Sequence, residues 1–192
     1  VFCQNFTFIG SVSPVTFCNA TPVFIGSEIN TWNISPDTLR ETIKKFIKKG
    51  KKPKAIIVVH LYGMPSKVLE LKSISREFQI PIIEDAAEAL GSSYDGKKCG
   101  SLFDIGILSF NGNKIITTGG GGVIITNDKK TADLARHLST TAKINHPYEF
   151  FHDQIGWNDR LPNINAALGV SQLEVLQMKL NYKRILYERY KK

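Results

Sequence analysis

Residues 109–122 read Ser109-Phe-Asn-Gly-Asn-Lys114-Ile-Ile-Thr-Thr-Gly119-Gly-Gly-Gly122, which places one amine between the end of a predicted strand and four consecutive glycines. The sequence around Lys114 is mostly uncharged, so this amine can be partly desolvated, which favours its neutral, nucleophilic form. The glycines allow positive φ angles and a close approach of the backbone to a ligand. Because Gly-Lys-Ser/Thr is absent, the run is not a phosphate-binding P-loop.

A second stretch, Ile82-Ile-Glu-Asp85-Ala-Ala-Glu88, is an apolar run that ends abruptly in acids. Apolar runs of this kind predict strands covered on both faces, here at 55–59, 81–83, 105–110 and 122–126. Helices are predicted after the capping residues Ser35 and Ser66 and over 129–142 and 163–190, the last one bent. Strands that alternate with helices predict an α/β fold built on a layered sheet.

Ligands in such sheets bind beyond the carboxyl ends of the strands. His60, Asp85 and Lys114 follow three different predicted strands, so we expect them to converge. A strand-ending carboxylate and a lysine suit pyridoxal phosphate, because the lysine can form a Schiff base and the acid can keep the pyridine nitrogen protonated. Taken singly, each feature also has an ordinary structural interpretation: a helix cap for Asp85, a surface charge for Lys114 and a turn for the glycines.

The chain has 192 residues, of which 42% are hydrophobic and 22% charged, an ordinary composition for one well-buried domain. No apolar stretch reaches the length of a membrane span, and no signal peptide opens the chain. The three cysteines show no metal-ligand spacing, and their odd number favours a reducing cytoplasm over a disulfide framework. We also see no metal-like arrangement of His60, His146 or His152, and predict no metal site.

The formal net charge of +8 invites a nucleic-acid hypothesis. Much of the excess lies in lysines between residues 44 and 54, on the outer face and end of a predicted helix, where they also complement the helix dipole. No nucleic-acid-binding motif accompanies them, so we interpret them as a solvated surface. A positive field of this kind suits anionic substrates and a cofactor phosphate.

Several segments together resemble a known family. They are Thr7-Phe8, His60-Leu-Tyr-Gly63, Glu84-Asp-Ala-Ala-Glu-Ala-Leu-Gly91, Ser109 to Gly122, Gly156-Trp-Asn-Asp-Arg-Leu161 and Asn165-Ala-Ala-Leu-Gly169. In this order they resemble the DegT-type, pyridoxal-phosphate-dependent nucleotide-sugar aminotransferases over essentially the whole chain. The likeness is greatest to the branch that makes 4-amino sugars, such as bacillosamine-type and legionaminic-acid precursors. The resemblance implies the large domain of a fold-type-I transferase, an α/β/α arrangement with a mostly parallel mixed sheet flanked by helices.

The resemblance also implies roles for individual residues. Lys114 is expected to carry the cofactor as an internal aldimine and to shuttle the proton, with Asp85 on the pyridinium nitrogen. A histidine replaces this lysine in related dehydratases, so Lys114 points to amino transfer. The expected cofactor-binding residues are Phe8 stacked on the ring, Asp85, Glu88 near the phenolic oxygen, Ser109 on the phosphate, Lys114, and Asn158 on the phosphate of the neighbouring subunit.

Sharing of Asn158 between subunits implies a homodimer. Members of the family are longer than this chain, so we expect residues 1–162 to be the core of the cofactor-binding domain, with its N-terminal part missing. Residues 163–192 are expected to form a long helix that leads toward an absent C-terminal small domain. On this view the chain is a fragment. It is expected to bind the cofactor more weakly, because it lacks the helix N-terminus that binds the cofactor phosphate.

The expected reaction moves an amino group, from glutamate, to a 4-keto-6-deoxy nucleotide sugar for surface glycan biosynthesis. Two alternatives stay open at this point: an aminotransferase for the 3-keto position, and an inactive fragment that keeps the fold as a binding or structural module. A nucleotide-dependent dehydrogenase is disfavoured, because no Gly-x-Gly-x-x-Gly follows a strand.

Overall fold

The computed structural model describes all residues from Val1 to Lys192. The chain divides into two compact units, Val1–Ser109 and Phe110–Lys192, and each is described by itself. The boundary expected between residues 162 and 163 stays a prediction. None of the helices is both long and apolar enough to cross a membrane.

The first unit is built on a parallel sheet. Its strands are β1 (Phe2–Gln4), β2 (Val23–Ile25), β3 (Ile56–Val59), β4 (Ile82–Asp85), then β5 (Ser93–Tyr94), β6 (Lys97–Lys98) and β7 (Ile105–Ser109). Five of them pair side by side in the order β2-β1-β3-β4-β7, and every pairing is parallel. The remaining two, β5 and β6, form a small antiparallel hairpin. The α/β architecture predicted from the alternating pattern is confirmed.

The helices of this unit are α1 (Ser13–Phe17), α2 (Pro36–Lys48) and α3 (Val68–Phe78). As predicted, Ser35 caps α2, since its side chain accepts a hydrogen bond from the backbone N–H of Thr38. The prediction that Ser66 caps α3 is wrong. That helix begins two residues later, at Val68, and has no side-chain cap. Ser66 is buried, and its backbone N–H donates to the ring of His60.

The two faces of the sheet are covered by different helices. One face packs Ile56, Val58 and Ile82 against apolar residues of α2 and α3. The opposite face packs Cys3 and Ile57 against the segment around α1, with the core residues Val12 and Val15. Of the apolar residues of α2, Leu39 and Ile43 are fully buried and Phe46 packs against this core, whereas Ile47 is exposed.

Because side chains along a strand alternate between the two faces, consecutive residues of β4 point to opposite sides. Ile82 and Glu84 therefore share the face covered by α2 and α3. Ile83 and Asp85 share the face that carries α1. This alternation separates the two adjacent acids at the end of the strand.

The second unit contains β8 (Gly122–Thr126), α4 (Lys129–Leu138), α5 (Asn163–Glu174) and α6 (Leu176–Tyr190). The bend predicted within 163–190 is confirmed, since α5 and α6 are separated at Val175. The helix predicted over 129–142 is shorter than expected. Thr141 and Ala142 adopt positive φ angles of 65° and 51°, which a right-handed helix cannot contain.

Candidate active site

Asp85 ends β4 and lies between β3 and β7, where it pairs in register with Val59 and Ile107. Its Oδ2 accepts a 2.6 Å hydrogen bond from Ser11 Oγ, and its Oδ1 accepts a 3.0 Å bond from the backbone N–H of Ala87. No helix follows it, so the alternative interpretation of Asp85 as a helix cap is wrong. The half-buried carboxylate instead closes a turn at the carboxyl edge of the sheet.

Ser11 is a site residue that the sequence did not reveal. It lies in the short 3-10 turn Ile9–Ser11 and is buried, and its hydroxyl is also 2.7 Å from Thr7 Oγ1. Thr7, Ser11 and Asp85 thus form a hydrogen-bonded chain that holds the carboxylate in one orientation. The sequence feature that could have indicated Ser11 is its position shortly after Thr7-Phe8, one of the segments that resemble the family.

Phe8, the predicted stacking residue, lies in extended backbone next to this chain, and its side chain is 79% exposed. A Cβ at Gly10 would approach the Phe8 ring to 3.1 Å, so the glycine leaves space for the ring. An aromatic ring this exposed is available to a ligand. Its stacking on a cofactor stays a prediction.

Glu88 lies three residues after Asp85, and its side chain is exposed. Its Oε2 accepts a 3.0 Å hydrogen bond from the backbone N–H of Tyr62. Gly63 allows this close packing, since a Cβ there would lie 2.9 Å from the carbonyl oxygen of Glu88. The carboxylate therefore fixes the loop after β3, beside the position where its contact with the cofactor is predicted.

The side chain of His60 does not join that of Asp85, so this part of the predicted convergence is wrong, although the backbone N–H of His60 donates to the carbonyl of Asp85 at 3.0 Å. The ring of His60 is fully buried and its Nε2 lies 2.8 Å from Glu84 Oε1. Its Nδ1 accepts the 3.1 Å bond from Ser66 N–H, so Nε2 carries the proton donated to Glu84. Since Glu84 and Asp85 lie on opposite faces of the sheet, the imidazole belongs to the core.

Glu84 anchors the loop before β7. Beyond His60, its carboxylate accepts hydrogen bonds from the backbone N–H groups of Gly100 at 2.5 Å and Leu102 at 2.7 Å. Burial by itself raises the pKa of Glu84, but the hydrogen bonds from His60 and the loop outweigh it and lower the pKa below its usual value. Glu84 is therefore held as a carboxylate.

One metal-like grouping does exist around His60, contrary to the sequence interpretation. The potential ligand atoms of His60, Glu84 and Cys99 all lie within 4.8 Å of one another, and all three residues are buried. Both carboxylate oxygens and both ring nitrogens are nevertheless occupied by hydrogen bonds. Burial raises the pKa of Cys99 to about 12, so its sulfur is a thiol. We interpret the group as a structural hydrogen-bond network.

Lys114 lies in the second unit, half-buried in a compact loop between Phe110 and Gly121. Its backbone N–H donates to the carbonyl of Asn111 at 3.0 Å, and the two ends of the loop meet through a 2.9 Å bond from Phe110 N–H to Gly121 O. The predicted positive φ angles occur at Gly119 and Gly121, at 79° and 94°. The lysine is therefore carried by an ordered turn.

Helix α5 braces this loop. Asn165 Nδ2 donates a 2.5 Å hydrogen bond to the carbonyl of Thr118, which is itself buried. A Cβ at Gly169 would lie 2.9 Å from the methyl group of Thr118, so only glycine permits this approach. These contacts give a physical reason for the Asn165-Ala-Ala-Leu-Gly169 segment, whose individual roles the sequence did not reveal.

The remaining predicted residues are placed separately. Ser109 is the half-buried last residue of β7, in the first unit. Asn158 is exposed in the second unit, where its backbone forms an isolated antiparallel bridge with Thr140. The first unit thus brings Asp85, Glu88 and the Phe8 segment to one edge of its sheet. The approach of Lys114 and Asn158 to that edge stays a prediction.

Comparison with known proteins identifies the class. The whole chain, residues 1–192, matches the DegT/DnrJ/EryC1/StrS aminotransferase family, and the chain belongs to that family. It is 45% identical over 191 residues to EpsN of Bacillus subtilis, whose name assigns it provisionally to the pyridoxal phosphate-dependent aminotransferases. It is 39% identical over 192 residues to the GDP-perosamine synthase of Escherichia coli O157:H7.

A solved structure agrees with this assignment. A DegT/DnrJ/EryC1/StrS aminotransferase from Brucella abortus superposes with a TM-score of 0.92 at 32% identity, over 98% of this chain and 51% of that one. The two sequence relatives are matched over all of this chain but over 49% and 51% of their own lengths. The chain thus spans about half the length of the relatives it matches. The cofactor of the family is pyridoxal phosphate, in agreement with the sequence prediction.

Proposed function

We propose that this chain belongs to a pyridoxal-phosphate-dependent aminotransferase that transfers an amino group from glutamate to the 4-keto carbon of a nucleotide-linked 6-deoxy sugar. The observation that carries the proposal is the carboxylate of Asp85, held at the carboxyl edge of the parallel sheet by Ser11 and by the backbone N–H of Ala87. Family membership and the name of the GDP-perosamine synthase support a nucleotide-linked amino sugar as product.

The donor set around Asp85 suits the cofactor. Each carboxylate oxygen accepts one of these hydrogen bonds and keeps lone-pair capacity for a further N–H donor, such as a pyridinium nitrogen. When bound, pyridoxal phosphate supplies an electron sink for the carbon that gains or loses the amino group. Asp85 holds the proton on the pyridine nitrogen, and the exposed ring of Phe8 covers one face of the cofactor.

Lys114 has two tasks in this proposal. Its amine would hold the cofactor through the aldehyde carbon, by condensation with loss of water. Once displaced by the amino group of the donor substrate, the free amine would move a proton between the substrate carbon and the adjacent cofactor carbon. One amine can do both because it is already positioned beside both atoms. The ordered turn and the bracing contact of Asn165 with Thr118 limit the range of positions open to this side chain.

Three further residues complete the proposed site. Ser109 donates its hydroxyl to the cofactor phosphate, and Glu88 lies near the phenolic oxygen of the ring. Asn158 reaches the phosphate bound by the neighbouring subunit, so the active enzyme is a homodimer with shared sites. We further propose that it acts in the cytoplasm. We propose that the product serves surface glycan biosynthesis.

The proposal is tested by adding pyridoxal phosphate to the purified chain and recording its visible absorption. We expect a band that is lost in Lys114→Ala and retained in Lys48→Ala, a matched change at an exposed lysine of α2. Incubation of the protein with glutamate and either a 4-keto or a 3-keto nucleotide sugar then identifies the acceptor position. Amination of the 3-keto sugar alone would contradict the proposed substrate. A folded protein that takes up no cofactor would support the alternative of a binding or structural module.

A further inference from the structure

Three aromatic side chains form an exposed cluster in the first unit. The rings of Phe6 and Trp32 are stacked with centroids 6.0 Å apart and an interplanar angle of 26°. The ring of Tyr62 meets Phe6 edge to face at 6.3 Å. These side chains are 42%, 54% and 73% exposed, respectively, so they do not belong to the core. We call Phe6, Trp32 and Tyr62 the aromatic platform.

Two members of the platform have an unfavourable backbone conformation. Trp32 and Tyr62 have φ angles of 61° and 53°, in the left-handed region that bulky side chains rarely adopt. Such strain persists only where the surrounding structure imposes it, and it is concentrated at binding and catalytic sites. Here it holds two large rings that are each more than half exposed and that pack on Phe6 rather than in the core.

Buried polar groups impose this conformation. Asn33 is fully buried and uses both ends of its amide on the loop that carries Tyr62: Oδ1 accepts from Leu61 N–H and Nδ2 donates to Met64 O, each at 2.9 Å. The carboxylate of Glu28 accepts the backbone N–H groups of Asn30 and Thr31. The loops on either side of the platform are therefore rigid before any ligand arrives.

The platform lies beside the proposed cofactor site. Its three members follow β1, β2 and β3, which are neighbours in the parallel sheet, so they share the carboxyl edge with Asp85. The backbone N–H of Tyr62 contacts Glu88, and Phe6 precedes the Thr7-Phe8 pair. The fully buried side chain of Gln4 links the first two loops, since its amide bonds Phe6 O at 2.8 Å and Ile34 N at 2.9 Å.

We propose that the aromatic platform is a ring-stacking subsite for the nucleotide-sugar substrate, an inference that rests on the proposed function. Rigid, exposed aromatic faces bind flat rings of any identity through stacking. A nucleotide sugar offers two such surfaces, the planar nucleobase and the apolar face of the hexose. The platform takes one of these rings while the reacting carbon of the sugar is directed toward Asp85 and the cofactor.

The test uses tryptophan fluorescence, because the chain has only two tryptophans and Trp157→Phe leaves Trp32 as the sole reporter. This variant is titrated separately with GDP, with UDP and with a methyl hexoside that lacks a nucleotide. Saturable quenching by GDP or UDP assigns the platform to the base. Quenching by the hexoside assigns it to the sugar.

The ring of Tyr62 is then removed by Tyr62→Asn, which keeps a residue that tolerates the left-handed conformation and so protects the fold. We expect the dissociation constant of the quenching ligand to rise about tenfold, the scale of one lost stacking contact. Tyr190→Ala, at an exposed tyrosine of α6, is the matched control and should leave the constant unchanged. Circular dichroism checks that each variant is folded.

Two results would overturn the subsite. One is the absence of saturable quenching by all three probes in a folded chain. The other is a Trp32 signal that depends on protein concentration rather than on ligand, which would assign the platform to contact with a second copy. Cofactor attachment at Lys114 is measured independently. Attachment without quenching rejects only the subsite, and quenching without attachment rejects only the proposed function.

Discussion

Ser11 Oγ donates a 2.6 Å hydrogen bond to Asp85 Oδ2, and this contact joins residues that are 74 positions apart in the chain. The hydroxyl approaches from the segment around α1, on the same face of the sheet as the carboxylate. Thr7 completes the chain of hydroxyl groups at 2.7 Å from Ser11. The orientation of the candidate catalytic carboxylate is thus set by a contact between the first turn and the central strand.

Replacing Ser11 tests that contact. Ser11→Ala leaves Asp85 with only the Ala87 bond, and a hydrogen bond to a charged group contributes about 1.5–3 kcal/mol. We therefore expect the dissociation constant for pyridoxal phosphate to rise roughly 10- to 150-fold, measured by absorption titration. Ser13→Ala, which removes only a bond to the carbonyl of Ile9, should have little effect, and Ser11→Thr should retain binding. Equal binding by Ser11→Ala and the parent chain would show that Asp85 needs no such support.

The buried Glu84–His60 pair is expected to matter for stability. Glu84→Gln keeps the shape but turns one acceptor into a donor that faces backbone N–H groups of the 100–102 loop. An unsatisfied buried polar group costs about 1–3 kcal/mol, so the free energy of unfolding in urea should fall by about that amount. Glu70→Gln, an exposed position on α3, is the control. Unchanged stability would indicate that the loop is held by other contacts.

A pH dependence follows from Glu28. Burial works to raise the pKa of this carboxyl, but hydrogen bonds from Thr31 and Asn30 outweigh it and lower the pKa to about 2, from the usual 4.5. A folded-state pKa below the unfolded value gives stability that is present above pH 4.5 and is lost as the pH falls toward 2. The free energy of unfolding should therefore decrease in acid over this interval. The decrease should be smaller in Glu28→Gln, and an equal slope in both proteins would contradict the assignment.

The strained backbone at Tyr62 predicts a conflict between stability and binding. Glycine adopts positive φ without penalty, whereas an L-residue pays about 1–2 kcal/mol for the left-handed conformation. Since the ring of Tyr62 is mostly exposed, Tyr62→Gly should raise the melting temperature while it weakens ligand quenching of Trp32. A lower melting temperature would mean that the ring stabilises the fold more than the strain opposes it.

Local signals in the sequence predicted much of the architecture. The strand Ile56–Val59 follows from its continuous apolar run, and the start of α2 follows from Ser35-Pro36, because each depends on neighbouring residues. Ser66 has the same local character as Ser35, yet it caps no helix, because α3 begins only at Val68. Ser66 is instead buried beside His60, whose ring accepts its backbone N–H, and this long-range packing is not evident from the local sequence.

The candidate site likewise combines features that the local sequence predicts with features that it does not. The position of Asp85 at a strand end was predictable from the change from apolar residues to acids. Its partner Ser11 was not, because their contact depends on how the α1 segment crosses the sheet. Nor could the separation of the His60 and Asp85 side chains be predicted without the pairing of β3 with β4, which sets Val59 opposite Asp85 and leaves the ring of His60 on the face of Glu84. The positive φ angles of Trp32 and Tyr62 could not be predicted either, because bulky aromatic residues rarely adopt the left-handed conformation.

Lys114 is, in our proposal, the residue that bonds covalently to the cofactor. The purified chain is incubated with pyridoxal phosphate, reduced with borohydride, digested and analysed by mass spectrometry. We predict a pyridoxyl group on the peptide that contains Lys114, and its loss in Lys114→Ala. Asp85→Asn should retain the site of attachment but weaken cofactor uptake. Labelling spread evenly over the exposed lysines between residues 44 and 54, with Lys114 unmodified, would contradict the account.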